Sequence, residues 1–215
     1  MRDPADVWRA WAEVWPARRA ERTGAPDDAI LSFARTHLPV GARVLDAGCG
    51  DGTYAAALHA RGLDVQGVDL SEALLVQARA RFPEVPFVRA ALEALPFPDG
   101  AFGGALCLTA LEWVAGPLAA LRELARVTRG PVVLGVLGAG NRTRALHLAR
   151  LYAEASPMNG LTPFEVAWLL EREGWTVTAE AGVTREGPCP PGRASMAEAM
   201  VYLWAAWPPG HPATP

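Results

Sequence analysis

The sequence predicts an α/β fold: a doubly wound, seven-stranded sheet, mostly parallel, with an antiparallel last strand. Three observations carry the prediction. Val44 and Leu45 pass through Asp46 into glycines at alternate positions, Gly48, Gly50 and Gly52, and then into good helix formers from Thr53 to Ala60. A strand that breaks into a loop suited to glycine and resumes as a helix is the opening βα unit of such sheets. A second strand, Leu63 to Val68, ends in the acid Asp69, where open α/β sheets place ligand contacts. Pro131 to Leu137 is continuously β-branched and apolar, as suits a strand covered on both faces.

The remaining elements follow in order. Residues 4–22 carry Val7, Trp8, Trp11, Val14 and Trp15 at helical spacing, with Pro16 dividing the run. Thr23 to Pro26 is a turn, and Asp27 and Asp28 open a helix to about Thr36, since acids in a first turn suit the dipole. Ser71 caps a helix through Arg81, which Pro83 stops. Pro86 to Ala90 is the third strand. Leu95 to Gly100 is a rigid turn into the fourth, Ala101 to Leu108. Leu118 to Thr128 is a helix burying Leu118, Leu121, Leu124 and Ala125; Pro131 to Leu137 is the fifth strand. The segment from Gly138 to Gly160 leaves the alternation and includes a helix with Arg142, Arg144, His147, Arg150 and Tyr152. Thr162 and Pro163 cap a helix through Arg172 that Gly174 ends. Trp175 to Glu180 and Met200 to Ala206 are the last two strands, joined by a proline-rich loop from Gly182 to Arg193.

Composition narrows the function classes. With 215 residues, 51% of them apolar and 20% charged, the chain suffices for one domain with a sizeable core. A net charge of −3 provides no global basic footprint for nucleic acid. All 20 basic residues are arginine, a compositional bias rather than a site. Cys49, Cys107 and Cys189 are odd in number and lack metal-ligand spacing, so neither a disulfide framework nor a metal site is expected. Ala101 to Leu121 is nearly apolar, but Glu112 and Gly116-Pro117 interrupt it, so strand, turn and helix are expected rather than a membrane span. The N-terminus has no apolar signal core, which leaves a cytoplasmic location as the expectation.

The ligand follows from the order of residues around the glycines. Loop amides and the positive end of the next helix converge there, a geometry that receives nucleotides. Asp69, at the end of the second strand, is set to accept both hydroxyls of a ribose. A dinucleotide fingerprint is GxGxxG; here the pattern is DxGxGxG, with Asp46 two places before Gly48. A carboxylate at that point repels a pyrophosphate and attracts an ammonium group. S-adenosylmethionine, with an ammonium, a sulfonium and an adenosine, satisfies both carboxylates.

VLDAGCGDG at 44–52, GVDLS at 67–71 and ALEALPFPDGAFGGALCLTALEWV at 91–114 together resemble class I S-adenosylmethionine-dependent methyltransferases of Rossmann-like fold. Within that family they are most similar to the small-molecule group of ubiquinone and menaquinone methyltransferases, over roughly residues 40–180. The resemblance implies that Asp46, Ala47, Gly48, Cys49 and Gly50 surround the methionine part and Asp69 and Leu70 the ribose. Ala91, Leu92 and Glu93 fall at the adenine and Leu108 and Thr109 at the sheet's ligand edge.

The family usually has an acid where Ala91 stands and another where Gly103 stands. Glu93 either replaces the first acid's contact or caps the following turn. Glu112 stands where relatives often carry a histidine, so it is a candidate general base, its alternative being a rim carboxylate in water. Residues 138–162 resemble the insertion that lines the acceptor pocket, making His147 and Tyr152 further base candidates. Residues 1–38 resemble a helical lid. There Trp15 joins the cofactor wall or packs on the sheet, and Arg19 reaches the methionine carboxylate or lies on a solvated face.

The implied activity is methyl transfer to a small molecule by one domain, 1–215, as a monomer or homodimer. A non-catalytic cofactor-binding partner protein is the alternative, and a nicotinamide-dependent dehydrogenase is disfavoured by the DxGxGxG order.

Overall fold

The computed structural model describes residues 28–140, 145 and 159–212. Its strands are β1 (Arg43–Ala47), β2 (Asp64–Asp69), β3 (Phe87–Arg89), β4 (Gly104–Leu108), β5 (Val132–Leu137), β6 (Thr176–Val183), β7 (Pro188–Cys189) and β8 (Val201–Trp207). The helices are α1 (Asp28–His37), α2 (Thr53–His59), α3 (Glu72–Arg81), α4 (Pro117–Val127), α5 (Pro163–Arg172) and α6 (Arg193–Glu198), with a single 3₁₀ turn at Leu111–Trp113.

All strands join one sheet in the order β3-β2-β1-β4-β5-β8-β6-β7. β1 to β5 pair in parallel, and β8 lies antiparallel between β5 and β6. The expected antiparallel last strand is therefore present, and the sheet has eight strands where seven were expected. The extra one is Pro188–Cys189, which pairs with the end of β6 inside what sequence reasoning took for a loop. Proline lacks an N–H, so Pro188 is tolerated only at such an edge.

Two cores sandwich the sheet. Side chains alternate along each strand, so Val44, Val65, Leu106 and Val133 meet Leu31, Ala34, Leu58, Leu75 and Ala78 of α1, α2 and α3. Leu45, Ala105, Leu134 and Trp204 meet Leu121 and Leu124 of α4 and Val166 and Leu170 of α5 on the opposite face. α4 buries Ala120 and Val127 beside those leucines, in place of the expected Leu118 and Ala125. Of the segment compared with a lid, residues 1–27 lie outside the described residues; the rest is α1, whose Ile30, Leu31 and Ala34 are in the core.

The apolar run after Ala101 resolves into β4, the 3₁₀ turn and α4. No described helix is long and apolar enough to cross a membrane.

Two local clamps fix loops to helices. Arg126 on α4 donates to the carbonyls of Leu95 and Phe97 at 2.9 and 2.8 Å and pairs with Asp99 and Glu123. The Leu95 N–H in turn donates to Glu123 at 2.7 Å, so the rigid turn is strapped to the helix. At α5 the Thr162–Glu165 capping box and Pro163 at the first turn set the start.

Candidate functional site

The strand order reverses between β1 and β4, so their carboxyl ends border the crevice where doubly wound sheets take ligands. The glycine loop leaves β1 on one side of it. Thr109 and Ala110 leave β4 on the other.

The loop's amides are spent inside the protein. Gly48 and Cys49 N–H both donate to the Val68 carbonyl, at 2.8 and 2.9 Å, and Gly52 N–H donates to the Cys49 carbonyl at 3.0 Å. Gly50 N–H donates to Asp69 Oδ2 at 2.8 Å, and Thr53 N–H to Asp51 Oδ1 at 3.3 Å. The free amide cradle expected from sequence is thus replaced by a loop sewn to the end of β2. The start of α2 already holds a carboxylate, that of Asp51, which Arg81 pairs at 2.7 Å. A pyrophosphate would meet occupied donors and negative charge there.

The glycines serve different neighbours. Gly48 has φ 79, and a Cβ on it would lie 2.4 Å from the Ala110 Cβ, so the loop and the β4 exit touch backbone to side chain. Gly50, at φ 55, faces open space, with no atom within 4 Å of where a Cβ would stand. This is the crest a ligand can approach. Ala47 beside it is fully buried.

Carboxylates dominate the electrostatics. Burial pushes the Cys49 thiol well above its ordinary pKa, and the negative charges of Asp46, Asp69 and Asp51 push it further. Cys49 is thereby a packing residue and not a nucleophile. Asp46 is only 2% exposed, which leaves almost no surface for direct contact; its charge is felt by the Cys49 thiol.

Asp69 is half-buried and organises the loop. Its Oδ2 accepts the Gly50 N–H and its Oδ1 the Ser71 N–H, each at 2.8 Å. Burial raises its pKa, opposed by the hydrogen bonds from Ser71, Gly50 and Leu70. With three backbone donors on it, the carboxylate keeps about one acceptor site for a further donor. Leu70 alongside is half-buried, its carbonyl accepting from Arg89 at 3.1 Å.

Among the residues expected near the adenine, Leu92 is buried, its side chain directed toward Gly48, and Ala91 is half-buried. Glu93 Oε1 accepts the N–H groups of Ala115 and Gly116 at 2.9 and 3.2 Å, capping the approach to α4. The expected cap of the following turn is instead a cap on the approach to a helix distant in sequence. Gly103 precedes β4, at the opposite end from the crevice, and a Cβ on it would stand 2.4 Å from the Ala42 Cβ. The acid missing there belongs to packing and not to the cofactor.

Beyond β4, Leu108 is half-buried, and Thr109 is held at φ 48, the one non-glycine residue with positive φ among the described residues. Glu112 is fully buried, which rules out a rim carboxylate in water. Its Oε1 accepts the Leu137 N–H at 2.7 Å, tying the 3₁₀ turn to the end of β5. Trp15, Arg19, His147 and Tyr152 lie outside the described residues.

Sequence reasoning missed Ala110, the Asp51–Arg81 pair and Asn159, which binds the 3₁₀ turn. Only Asp51 carried a signal, as an Asx residue two places before a helix-starting threonine.

Residues 45–133 match the family described as a methyltransferase domain. A malonyl-[acyl-carrier protein] O-methyltransferase from Erwinia pyrifoliae is 35% identical over 119 residues, 54% of this chain and 45% of the relative. A demethylmenaquinone methyltransferase from Beutenbergia cavernae is 38% identical over 89 residues, 41% of this chain and 37% of the relative. The chain spans about half the length of the first such relatives it matches. Among solved structures, a TehB-like S-adenosylmethionine-dependent methyltransferase from Corynebacterium glutamicum superposes with TM-score 0.70 at 22% identity, over 93% of this chain and 98% of that one, a likeness of fold. Residues 45–133 thus match a methyltransferase domain, and the sheet order and glycine loop give the chain the fold of the S-adenosylmethionine-dependent methyltransferase on which it superposes.

Proposed function

We propose that the protein transfers a methyl group from S-adenosylmethionine to a small molecule, with catalysis by positioning. The observation that carries the cofactor reading is electrostatic. The loop's amides are occupied and its carboxylates converge on Cys49, an environment for a cation and against a pyrophosphate.

The residues fit that group: the open space at Gly50 admits its methionine part, Asp69 has an acceptor site left for the ribose, and Leu92 is an apolar wall for the adenine. When bound, S-adenosylmethionine supplies a methyl carbon on a sulfonium; a nucleophile's electron pair forms the new bond in line as the carbon–sulfur pair returns to sulfur. The chain's task is to hold the two partners in register and keep water out, and orientation of this kind is worth about 7–11 kcal/mol.

A base is needed only where the acceptor must lose a proton, and His147 and Tyr152 are the candidates we retain. Glu112 spends an oxygen on Leu137 N–H and has no exposed surface, so we assign it a structural part. The names of the relatives, a malonyl group on acyl-carrier protein in one and a demethylmenaquinone in the other, support a small acceptor group. We infer a cytoplasmic monomer or homodimer.

Two measurements test the reading. Calorimetry should show S-adenosylmethionine and S-adenosylhomocysteine bound and NAD ignored; the reverse pattern would establish the dehydrogenase reading. Labelled methyl transfer to a source-cell extract should then yield a labelled small molecule. Cofactor binding with no labelled product would mark a non-catalytic partner protein.

A further inference from the structure

We propose that Asn159 is a positioning residue for the cofactor wall: it holds the turn from Thr109 to Val114 in the strained form that seats Ala110 on Gly48. The inference rests on the crevice being the S-adenosylmethionine site.

Thr109 is β-branched and sits at φ 48, a conformation such residues adopt only when their surroundings over-determine it. The determinants are visible. Thr109 N–H donates to the Gly135 carbonyl at 2.6 Å, which fixes where the turn leaves the sheet. Asn159 fixes where it ends: its Nδ2 donates to the carbonyls of Leu111 and Val114 at 2.7 and 2.8 Å, and its own N–H donates to the Glu112 carbonyl at 2.8 Å. Its Oδ1 accepts the Leu161 N–H at 2.9 Å, so the amide cannot rotate without losing a partner.

One residue, distant in sequence, therefore grips three carbonyls in and just after the 3₁₀ turn, two through its side chain and one through its backbone N–H. Between the two fixed points stands Ala110, whose Cβ occupies the position that a side chain at residue 48 would need. Release of the grip lets Thr109 relax toward negative φ. That swings Ala110 off Gly48 and widens the crevice beside Leu92, whose side chain is the next neighbour of Gly48. Aspartate cannot substitute, because it would set carboxylate oxygens against two carbonyls.

The test is calorimetric titration of the full chain with S-adenosylhomocysteine, well below the melting temperature, with stoichiometry recorded. Asn159→Ala should weaken binding by about tenfold at unchanged stoichiometry, and Asn159→Asp at least as much. In turnover, KM for S-adenosylmethionine should rise with kcat at saturation and its pH profile kept, because no titrating group is removed.

The diagnostic arm is the Thr109→Gly background. Glycine takes positive φ without being held, so there Asn159→Ala should cost less than about threefold. Equal binding by wild type and Asn159→Ala, or an equal loss on both backgrounds, overturns the proposal. A wild type that ignores S-adenosylhomocysteine overturns the cofactor reading, and the inference with it. Should Asn159→Ala not fold, Asn159→Ser, which keeps one short donor, carries the same comparison.

Discussion

Asp69 concentrates the chemistry of the site at one residue. It closes β2, holds the amides of Gly50 and Ser71, and keeps an acceptor site beside the glycine loop. Asn in its place would set an NH₂ group against one of those amides and remove the charge. Asp69→Asn should therefore weaken S-adenosylhomocysteine binding by at least about tenfold, roughly 1.4 kcal/mol, read by calorimetry.

Its raised pKa has two consequences of opposite sign. The folded protein holds the Asp69 proton more tightly than the unfolded chain does. Its contribution therefore favours the fold at low pH and is lost as pH rises through the raised pKa. Ligand binding needs the ionised form, so cofactor affinity should fall as pH drops through a midpoint above the ordinary carboxylate range. A titration series from neutral to acid pH reads that midpoint.

Gly103 offers the complementary case of a position that looks functional by resemblance and is steric in fact. An aspartate there would drive its Cβ to 2.4 Å from that of Ala42. Gly103→Asp should cost about 1–3 kcal/mol in denaturant unfolding and bring no gain in affinity.

At the scale of elements, loops are held in shape by straps to helices. Arg126 is the clearest: its guanidinium satisfies two carbonyls of the turn and pairs with two acids, which push its pKa up. Arg126→Met keeps the aliphatic stem but orphans the carbonyls of Leu95 and Phe97. Leaving such groups without partners costs about 1–3 kcal/mol, so the midpoint of urea unfolding should fall by that equivalent. Glu93 is a second strap, carrying a carboxylate from beyond β3 to the amides ahead of α4, where the helix dipole favours it. Sequence reading located both elements, because their apolar periods and caps are local. The straps themselves join residues that are distant along the chain, and no local pattern announces them.

For the whole molecule, the antiparallel β8 closes the arrangement. Tyr202 and Trp204 are fully buried on it, ring against ring at 4.8 Å. The Tyr202 hydroxyl donates to Glu180 at 2.9 Å and accepts the Gly192 N–H at 3.0 Å, and burial lifts its pKa to about 12. Tyr202→Phe would leave Gly192 N–H and Glu180 without that partner. Its expected cost is about 1 kcal/mol, visible as a lower melting temperature.

The sequence by itself determined the order of strands and helices, the glycine loop and the acid that closes β2. Each of these is written in short-range spacing, apolar period or residue chemistry, which a linear chain displays. Tertiary structure alone decided what those residues spend their hydrogen bonds on. It closed the loop amides onto Val68 and Asp69, gave Glu93 and Glu112 to backbone amides, made Gly103 a packing glycine, added a short eighth strand at Pro188–Cys189, and brought Asn159 under the turn after β4. The physical reason is that every buried donor and acceptor must find a partner in space, and the identity of that partner is fixed only when the sheet has brought remote segments together.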